Sequence, residues 1–360
     1  MRAAIMRDKK LVVDEIAEPE PGPGQVLVKT LACGVCGSDL HMLKFADRMV
    51  EMSARTGAPS VMDLSRDIVM GHEFCAEILD HGPNTSGNLK AGSRVCSIPI
   101  AFGPDGFNAV GYSNQVPGGY AEQMVLNEML LLEVPNGLSS EHAALTEPMA
   151  VGYHAVEKAN IEGGEVPIVI GCGPVGLAVI AALKLKGVGP IIAVDYSPAR
   201  RRFAETLGAD IIVDPSEHSP YEQWEKIAVP EGVDQSNPMM MMMMANQIRP
   251  GVIFECVGVP GVLQDILEGA PRSARIVVAG VCMERDHIEP IFGINKELNV
   301  QFVLGYAPEE FATTLQKIAE GEIDVAPLIT DKVGVDGVAN AFEQLASPDR
   351  HAKILVEPWR

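Results

Sequence analysis

The chain has 360 residues, 47% hydrophobic and 21% charged, with 28 lysines and arginines against 48 acids for a formal charge of −20. That is the composition of a soluble globular protein long enough for two domains with their own cores. So acidic a surface repels nucleic acid and anionic membrane, and with neither an apolar run of bilayer length nor a signal-peptide core at residues 1–8, a cytoplasmic protein is expected.

In chain order, the first half reads as β-rich. Residues 11–13 and 25–31 are short apolar runs parted by the proline- and glycine-rich 18–24, and residues 94–98 and 122–126 continue that character. From Ser139 the texture changes. Ser139 is a candidate helix cap, His142 stands where a capping box would place Glu or Gln, and helical periodicity runs on through Ala155 and Val156. Strands then alternate with helices: strands at 166–170, 191–194, 252–256, 275–279 and 300–304, with a helix over 175–186 closed by Gly187. Such alternation predicts a parallel sheet with helices on both faces. An amphipathic helix at 309–319 and a strand at 353–356 read as a return to the first domain. The expected division is therefore 1–150, 151–304 and 305–360.

Two features along the way read as structural. The six consecutive methionines at 239–244 point in several directions and cannot converge on a soft metal, so they read as a flexible apolar patch. The seven cysteines (33, 36, 75, 96, 172, 256 and 282) are scattered in apolar surroundings, which suits reduced thiols plus a metal ligand better than a disulfide framework.

Gly171-x-Gly173-x-x-Gly176 directly follows a strand and opens a helix, the context of a dinucleotide turn. The first glycine permits the tight turn, the second lets backbone approach a pyrophosphate, and the third allows close helix–strand packing. Free N–H groups at the helix start bind phosphate, and Pro174 costs nothing there. Asp195 ends the next strand, placed to accept from the adenosine ribose hydroxyls and to repel a 2′-phosphate. NAD is therefore expected over NADP; the alternative for Asp195 is a helix cap. Arg200 suits a ribose contact or a solvated helix face equally. Nucleotide contacts are expected from Gly171, Gly173, Pro174, Val175, Gly176, Asp195, Arg200, Val257, Gly258 and Val281.

Cys36-Gly37-Ser38-Asp39 and Gly71-His72-Glu73 supply a thiolate, an imidazole and a carboxylate that one Zn²⁺ could collect. Cys33-x-x-Cys36 could instead be a redox pair or half a structural site, but no second such pair stands nearby. These motifs, Glu147-Pro148-Met149-Ala150-Val151-Gly152 and the glycine turn stand in the order of the zinc-dependent medium-chain alcohol dehydrogenases. The chain resembles that family, and its polyol, threonine and butanediol branch in particular, over nearly its whole length except 43–67 and 97–119.

The resemblance implies an α/β protein with a GroES-like β-rich catalytic domain and a Rossmann doubly wound parallel-sheet domain, assembled as a homodimer or homotetramer. It implies one catalytic zinc per chain, with Cys36, His72 and Glu147 as ligands and Glu73 as a neighbouring carboxylate that binds or exchanges. Asp39 is then the acid that holds a ligating histidine in its tautomer, and Ser38 and His41 form a proton relay. Three protein ligands leave the fourth tetrahedral position open, as a catalytic zinc requires. By themselves Glu147 would be an ordinary loop acid before proline, and His41 a surface histidine.

The chain departs from that pattern twice. Between residues 94 and 120 only Cys96 remains where many members place four cysteines for a structural zinc. The stretch from Cys36 to His72 is also longer than usual, and its amphipathic segment 45–55 predicts a helix over the active-site mouth.

Together these features predict reversible oxidation of a secondary alcohol, diols and polyols included, in a cleft between the domains. Zinc lowers the hydroxyl's pKa, Ser38 and His41 remove the proton, and hydride passes to NAD. One alternative is a zinc-free enone or quinone reductase of the same superfamily, against which Cys36, His72 and Glu147 stand. The other is a non-catalytic binding or scaffold protein, against which the intact relay stands. The substrate itself is not legible, because both departures fall where a pocket would be shaped.

Overall fold

Short apolar runs between turns build the first half of the chain. A computed structural model, describing residues 1–57, 62–103, 106–135, 137–233, 238–347 and 350–360, gives β1 (Arg2–Arg7), β2 (Lys10–Glu15), β3 (Gln25–Gly34), α1 (Gly37–Thr56), β4 (Ile68–Val69) and β5 (Glu73–His81). Then come β6 (Arg94–Ser97), β7 (Ile100–Gly103), β8 (Gly106–Ala109), β9 (Gln123–Asn127), β10 (Leu131–Glu133), α2 (Ser140–Ala144) and α3 (Thr146–Lys158). Val26, Val28, Thr30 and Ala32 of β3 are all buried, the period of two that a strand imposes. The segment from Phe45 onward is helical as expected, being the second part of α1 beyond a kink at that residue (φ −123, ψ 24). Residues 58–61, from the same long stretch, and 104–105, from the cysteine-poor one, lie outside the described residues.

Ser139 caps α2, its hydroxyl accepting the His142 N–H at 3.2 Å. The helix expected to run on through Val156 is in fact two. Leu145 (φ −82, ψ 2) ends the first, and α3 restarts at Thr146.

Next come β11 (Val166–Ile170), α4 (Pro174–Leu185), β12 (Ile192–Val194), α5 (Pro198–Thr206), β13 (Ile211–Val213), α6 (Pro220–Ala228) and α7 (Pro238–Met244), the methionine run. This unit closes with β14 (Gly251–Glu255), α8 (Val262–Gly269), β15 (Arg275–Val278), α9 (Pro290–Lys296) and β16 (Asn299–Phe302). The six strands are all parallel in the order β13-β12-β11-β14-β15-β16. The order reverses between β11 and β14, the switch point at which doubly wound sheets bind ligands. Central strands read as unbroken apolar runs because both faces are covered: Val166, Ile168, Ile253 and Ile276 are fully buried.

The chain ends with α10 (Pro308–Ala319), β17 (Ile329–Val333), α11 (Val338–Leu345) and β18 (Lys353–Val356). β18 lies antiparallel to β3 and parallel to β17, in a sheet ordered β10-β6-β5-β3-β18-β17 with β9 also on β3. Two compact units result, Met1–Pro148 with Pro308–Arg360, and Met149–Ala307. Among the described residues no helix is long and apolar enough to cross a membrane.

Candidate active site

Sequence-distant elements bring the candidate metal donors together. The β3–α1 junction supplies Cys36 and Asp39, the start of β5 supplies Glu73 with His72 just before it, and the head of β18 supplies Lys353. Ligand atoms of Cys36, His72 and Glu73 all lie within 4.8 Å of one another, the one such group among the described residues. Glu147 stands outside that group, and its place is the first turn of α3 rather than the loop its proline suggested. Its charge nonetheless reaches the group, acting on Lys353. Cys33 is fully buried and takes no part in the cluster.

Asp39, with no exposed surface, organises the donors. Its Oδ2 accepts the Cys36 N–H at 3.0 Å and the Tyr120 hydroxyl at 2.6 Å. Its Oδ1 lies 3.1 Å from the Tyr112 hydroxyl and 3.4 Å from His72 Nδ1. Burial alone would raise its pKa, but the His72 ring, the Tyr120 hydroxyl and the Cys36 N–H outweigh that and keep it below the usual carboxylate range. For His72, burial opposes the charged ring, while Asp39 and the Cys36 sulfur prevail and hold its pKa well above 6.5. The cluster thus draws positive charge. Nδ1 faces Asp39 at 3.4 Å without completing a hydrogen bond, so a small turn of the ring would close the contact and leave Nε2 to offer a metal. Thiolate, backed imidazole and carboxylates fit Zn²⁺.

Glu73 is compensated from within the protein. Both its oxygens accept from Lys353 Nζ, at 2.7 and 2.8 Å, and the same ammonium donates to the Val35 carbonyl at 3.2 Å. The two side chains are 0% and 3% exposed. Burial disfavours the Lys353 charge, but Glu73, Cys36 and Glu147 outweigh it and raise its pKa. Gly34 makes room for the pair, since a Cβ there would lie 2.0 Å from Glu73 Oε2.

Ser38 and His41 sit in the first turns of α1, but no direct hydrogen bond joins them. The Ser38 hydroxyl accepts instead from Tyr112, at 2.8 Å. His41 is half-buried, edge-on to Phe45 at 6.1 Å, with a buried Nδ1 that has no hydrogen-bond partner. It is not the solvated surface histidine the isolated residue suggested. Burial, then Lys44, push its pKa below 6.5.

Reasoning from sequence missed Tyr112, Tyr120 and Lys353. Only the lysine left a local trace, as a charge opening the otherwise apolar Ile354-Leu355-Val356.

In the second unit Gly171 takes φ +90 and Pro174 opens α4. A Cβ on Gly176 would lie 1.8 Å from the Gly171 carbonyl oxygen, so helix and turn close only over glycine. Val175 is half-buried in the first turn of α4. Asp195 accepts the Cys172 N–H through Oδ2 and the Ser197 N–H through Oδ1, both at 2.8 Å. Ser197, not Asp195, caps α5. Arg200 Nη1 stands 3.7 Å from Asp195 Oδ2, and its guanidinium carbon would be 3.8 Å from a Cβ on Gly173. Glu255 accepts the Val257 and Gly258 N–H groups at 2.7 and 2.8 Å, and its carbonyl accepts those of Ala279 and Gly280 at 2.9 Å. These bonds bind the loops after β14 and β15, and Gly258 and Val281 line a pocket of about 350 Å³ beside them.

Residues 22–136 match the alcohol dehydrogenase GroES-like domain, and residues 174–320 match the zinc-binding dehydrogenase family. The sequence is 32% identical to (R,R)-butanediol dehydrogenase of Bacillus subtilis (strain 168), covering 99% of this chain and 100% of that one. The chain belongs to the zinc-type medium-chain alcohol dehydrogenases. The crystal structure of 2R,3R-butanediol dehydrogenase from Bacillus subtilis shares the fold at a TM-score of 0.78, with 31% identity and 99% of each chain covered. Sorbitol dehydrogenase of the same strain is 27% identical over 100% of this chain and 98% of its own. An NADP-bound putative zinc-binding dehydrogenase from Sinorhizobium meliloti 1021 matches at 25% identity and a TM-score of 0.78, with 99% of each chain covered. The GroES-like and Rossmann units expected from the sequence are thus both present, and this medium-chain dehydrogenase is a zinc-dependent alcohol or polyol oxidoreductase that uses a nicotinamide nucleotide.

Replacing Lys353 tests how this site is held together. Lys353→Met leaves the buried Glu73 charge uncompensated and is expected to cost about 3–5 kcal/mol in urea unfolding, with Glu73→Gln on top recovering part of it. A loss under about 1 kcal/mol would show that the pair does not support the site.

Proposed function

We propose that the protein reversibly oxidises secondary alcohols bearing a neighbouring hydroxyl, short vicinal diols first and polyols next, with NAD as hydride acceptor and one zinc per chain. The observation that carries this reading is the convergence of Cys36, His72 and Glu73 beside a buried Asp39. The names of the butanediol and sorbitol relatives support the substrate class, since both compounds carry adjacent hydroxyls.

Cys36 and His72 would hold the ion with Glu147 as third ligand, and Glu73, whose two oxygens both accept from Lys353, would be the neighbouring carboxylate that binds or exchanges. When bound, zinc supplies the Lewis acidity that lowers a hydroxyl's pKa, and the nicotinamide takes the hydride. Ser38 accepts the substrate's proton as its own moves on toward His41. Because the two residues are not hydrogen-bonded to each other, a bridging hydroxyl or water completes the path. Burial and Lys44 lower the pKa of His41 and so favour the neutral ring, the form able to take a proton. The extension of α1 past Phe45 would bear on substrate size, and the cytoplasm is the proposed location.

A second copy of the chain is the proposed partner, docked along β16. All four residues of that edge strand are exposed, Phe302 at 65%, with Leu304 beyond it at 88%. An open apolar edge of this kind invites another strand. Light scattering should read at least twice the 38.5 kDa chain mass, and a monomer would contradict the docking.

The cofactor choice rests on Asp195, whose carboxylate would repel a 2′-phosphate. Across a panel of diols, polyols and simple secondary alcohols, kcat/KM with NAD should exceed that with NADP by at least about tenfold, some 1.4 kcal/mol. Asp195→Ser should narrow that gap, and equal use of both by the unaltered protein would reject the assignment. His41→Ala should slow alcohol oxidation by up to about 100-fold, most below neutral pH, with partial rescue by imidazole buffer. An unchanged pH–rate profile would remove His41 from the reaction.

A further inference from the structure

We infer that Tyr112 is a positioning residue for the proton step, its phenol fixing the Ser38 hydroxyl between itself and the substrate. The inference rests on the proposed role of Ser38 and deepens it. Tyr112 comes from the segment where the chain lacks the family's cysteines, and its place there is built closely. Gly111 takes φ +85, and a Cβ on it would stand 3.1 Å from the backbone N, C and O of Gly71. The turn therefore rests on the peptide that leads into His72. Tyr112 N–H closes it onto the Ala109 carbonyl at 3.1 Å, and the phenol ring lies 5.2 Å from the His72 ring, tilted by 39°.

From that position the hydroxyl reaches Ser38 Oγ at 2.8 Å and Asp39 Oδ1 at 3.1 Å. A phenol has one proton to donate, and of the two acceptors in reach Ser38 Oγ is the nearer, while Asp39 is already served by the Tyr120 hydroxyl and the Cys36 N–H. One Ser38 lone pair is thereby filled, so its own proton cannot point back at Tyr112. That leaves one lone pair to accept and one O–H to donate. In the step itself the substrate O–H proton moves to Ser38 Oγ as the Ser38 proton leaves along the relay, and Tyr112 keeps its proton throughout. Without the phenol, Ser38 is a free rotor that adopts the competent orientation only part of the time.

The test is a double-mutant cycle with Tyr112→Phe, which keeps the ring over His72, and Ser38→Ala. It is read on the fastest alcohol of the panel with NAD, alongside zinc content and NADH affinity. Tyr112→Phe alone should lower kcat about tenfold, the worth of one net hydrogen bond, while KM, zinc content and NADH affinity stay put. On the Ser38→Ala background the same change should lower kcat by less than about twofold, because the residue it acts through is gone. An unchanged kcat in Tyr112→Phe, lost zinc, or an undiminished effect on the Ser38→Ala background would each overturn the inference. If Ser38→Ala itself turns over at the unaltered rate, the role of Ser38 fails, and the inference with it. An impaired Ser38→Ala beside a fully active Tyr112→Phe overturns the inference alone.

Discussion

A carboxylate with no exposed surface has to be satisfied from within, and the geometry of the site follows from doing so for Asp39. Its hydrogen bonds come from the Cys36 N–H and the Tyr120 hydroxyl, with His72 Nδ1 facing it at 3.4 Å and the Tyr112 hydroxyl at 3.1 Å, so three separate stretches of chain converge on it. Leaving any of those groups unmet would cost about 1–3 kcal/mol. The same carboxylate secures the backbone where α1 begins and orients the imidazole one turn of chemistry away. The helix start and the placing of the candidate metal donors therefore depend on one side chain.

The neighbouring acid is treated differently. Glu73 is paired with a whole cation, Lys353, delivered by the last strand of the chain. This gives the return of the C-terminal segment to the first unit a chemical consequence. Without β18 beside β3, a thiol, an imidazole and two carboxylates would crowd a buried space with no internal cation. With Lys353 in place, Asp39 and the Cys36 sulfur still raise the pKa of His72, so the cluster continues to favour positive charge there.

Much of the fold was legible because its signals are local. The strand at Val166–Ile170, the glycine turn and the Ser139 cap each carry their reason within a few residues. The three-residue β13 is too short to show a period. The break at Leu145 is invisible because leucine is a good helix former and nothing nearby marks a stop. Glu147 before proline reads as loop, yet proline is welcome in a helix's first turn. At the site, Cys36, Asp39, His72 and Glu73 were readable as motifs, whereas their supports were not. Lys353 meets Glu73 across 280 residues, a distance at which spacing carries no information. Tyr112 lies in a segment with no pattern to compare.

In the proposed site one sulfur, from Cys36, would join nitrogen and oxygen donors around a single open zinc. Zinc K-edge X-ray absorption on the purified protein tests it most directly. The expected result is a shell of one sulfur at about 2.3 Å with two or three nitrogen or oxygen atoms at about 2.0–2.2 Å. A shell of four sulfurs, or one with no sulfur, would contradict it.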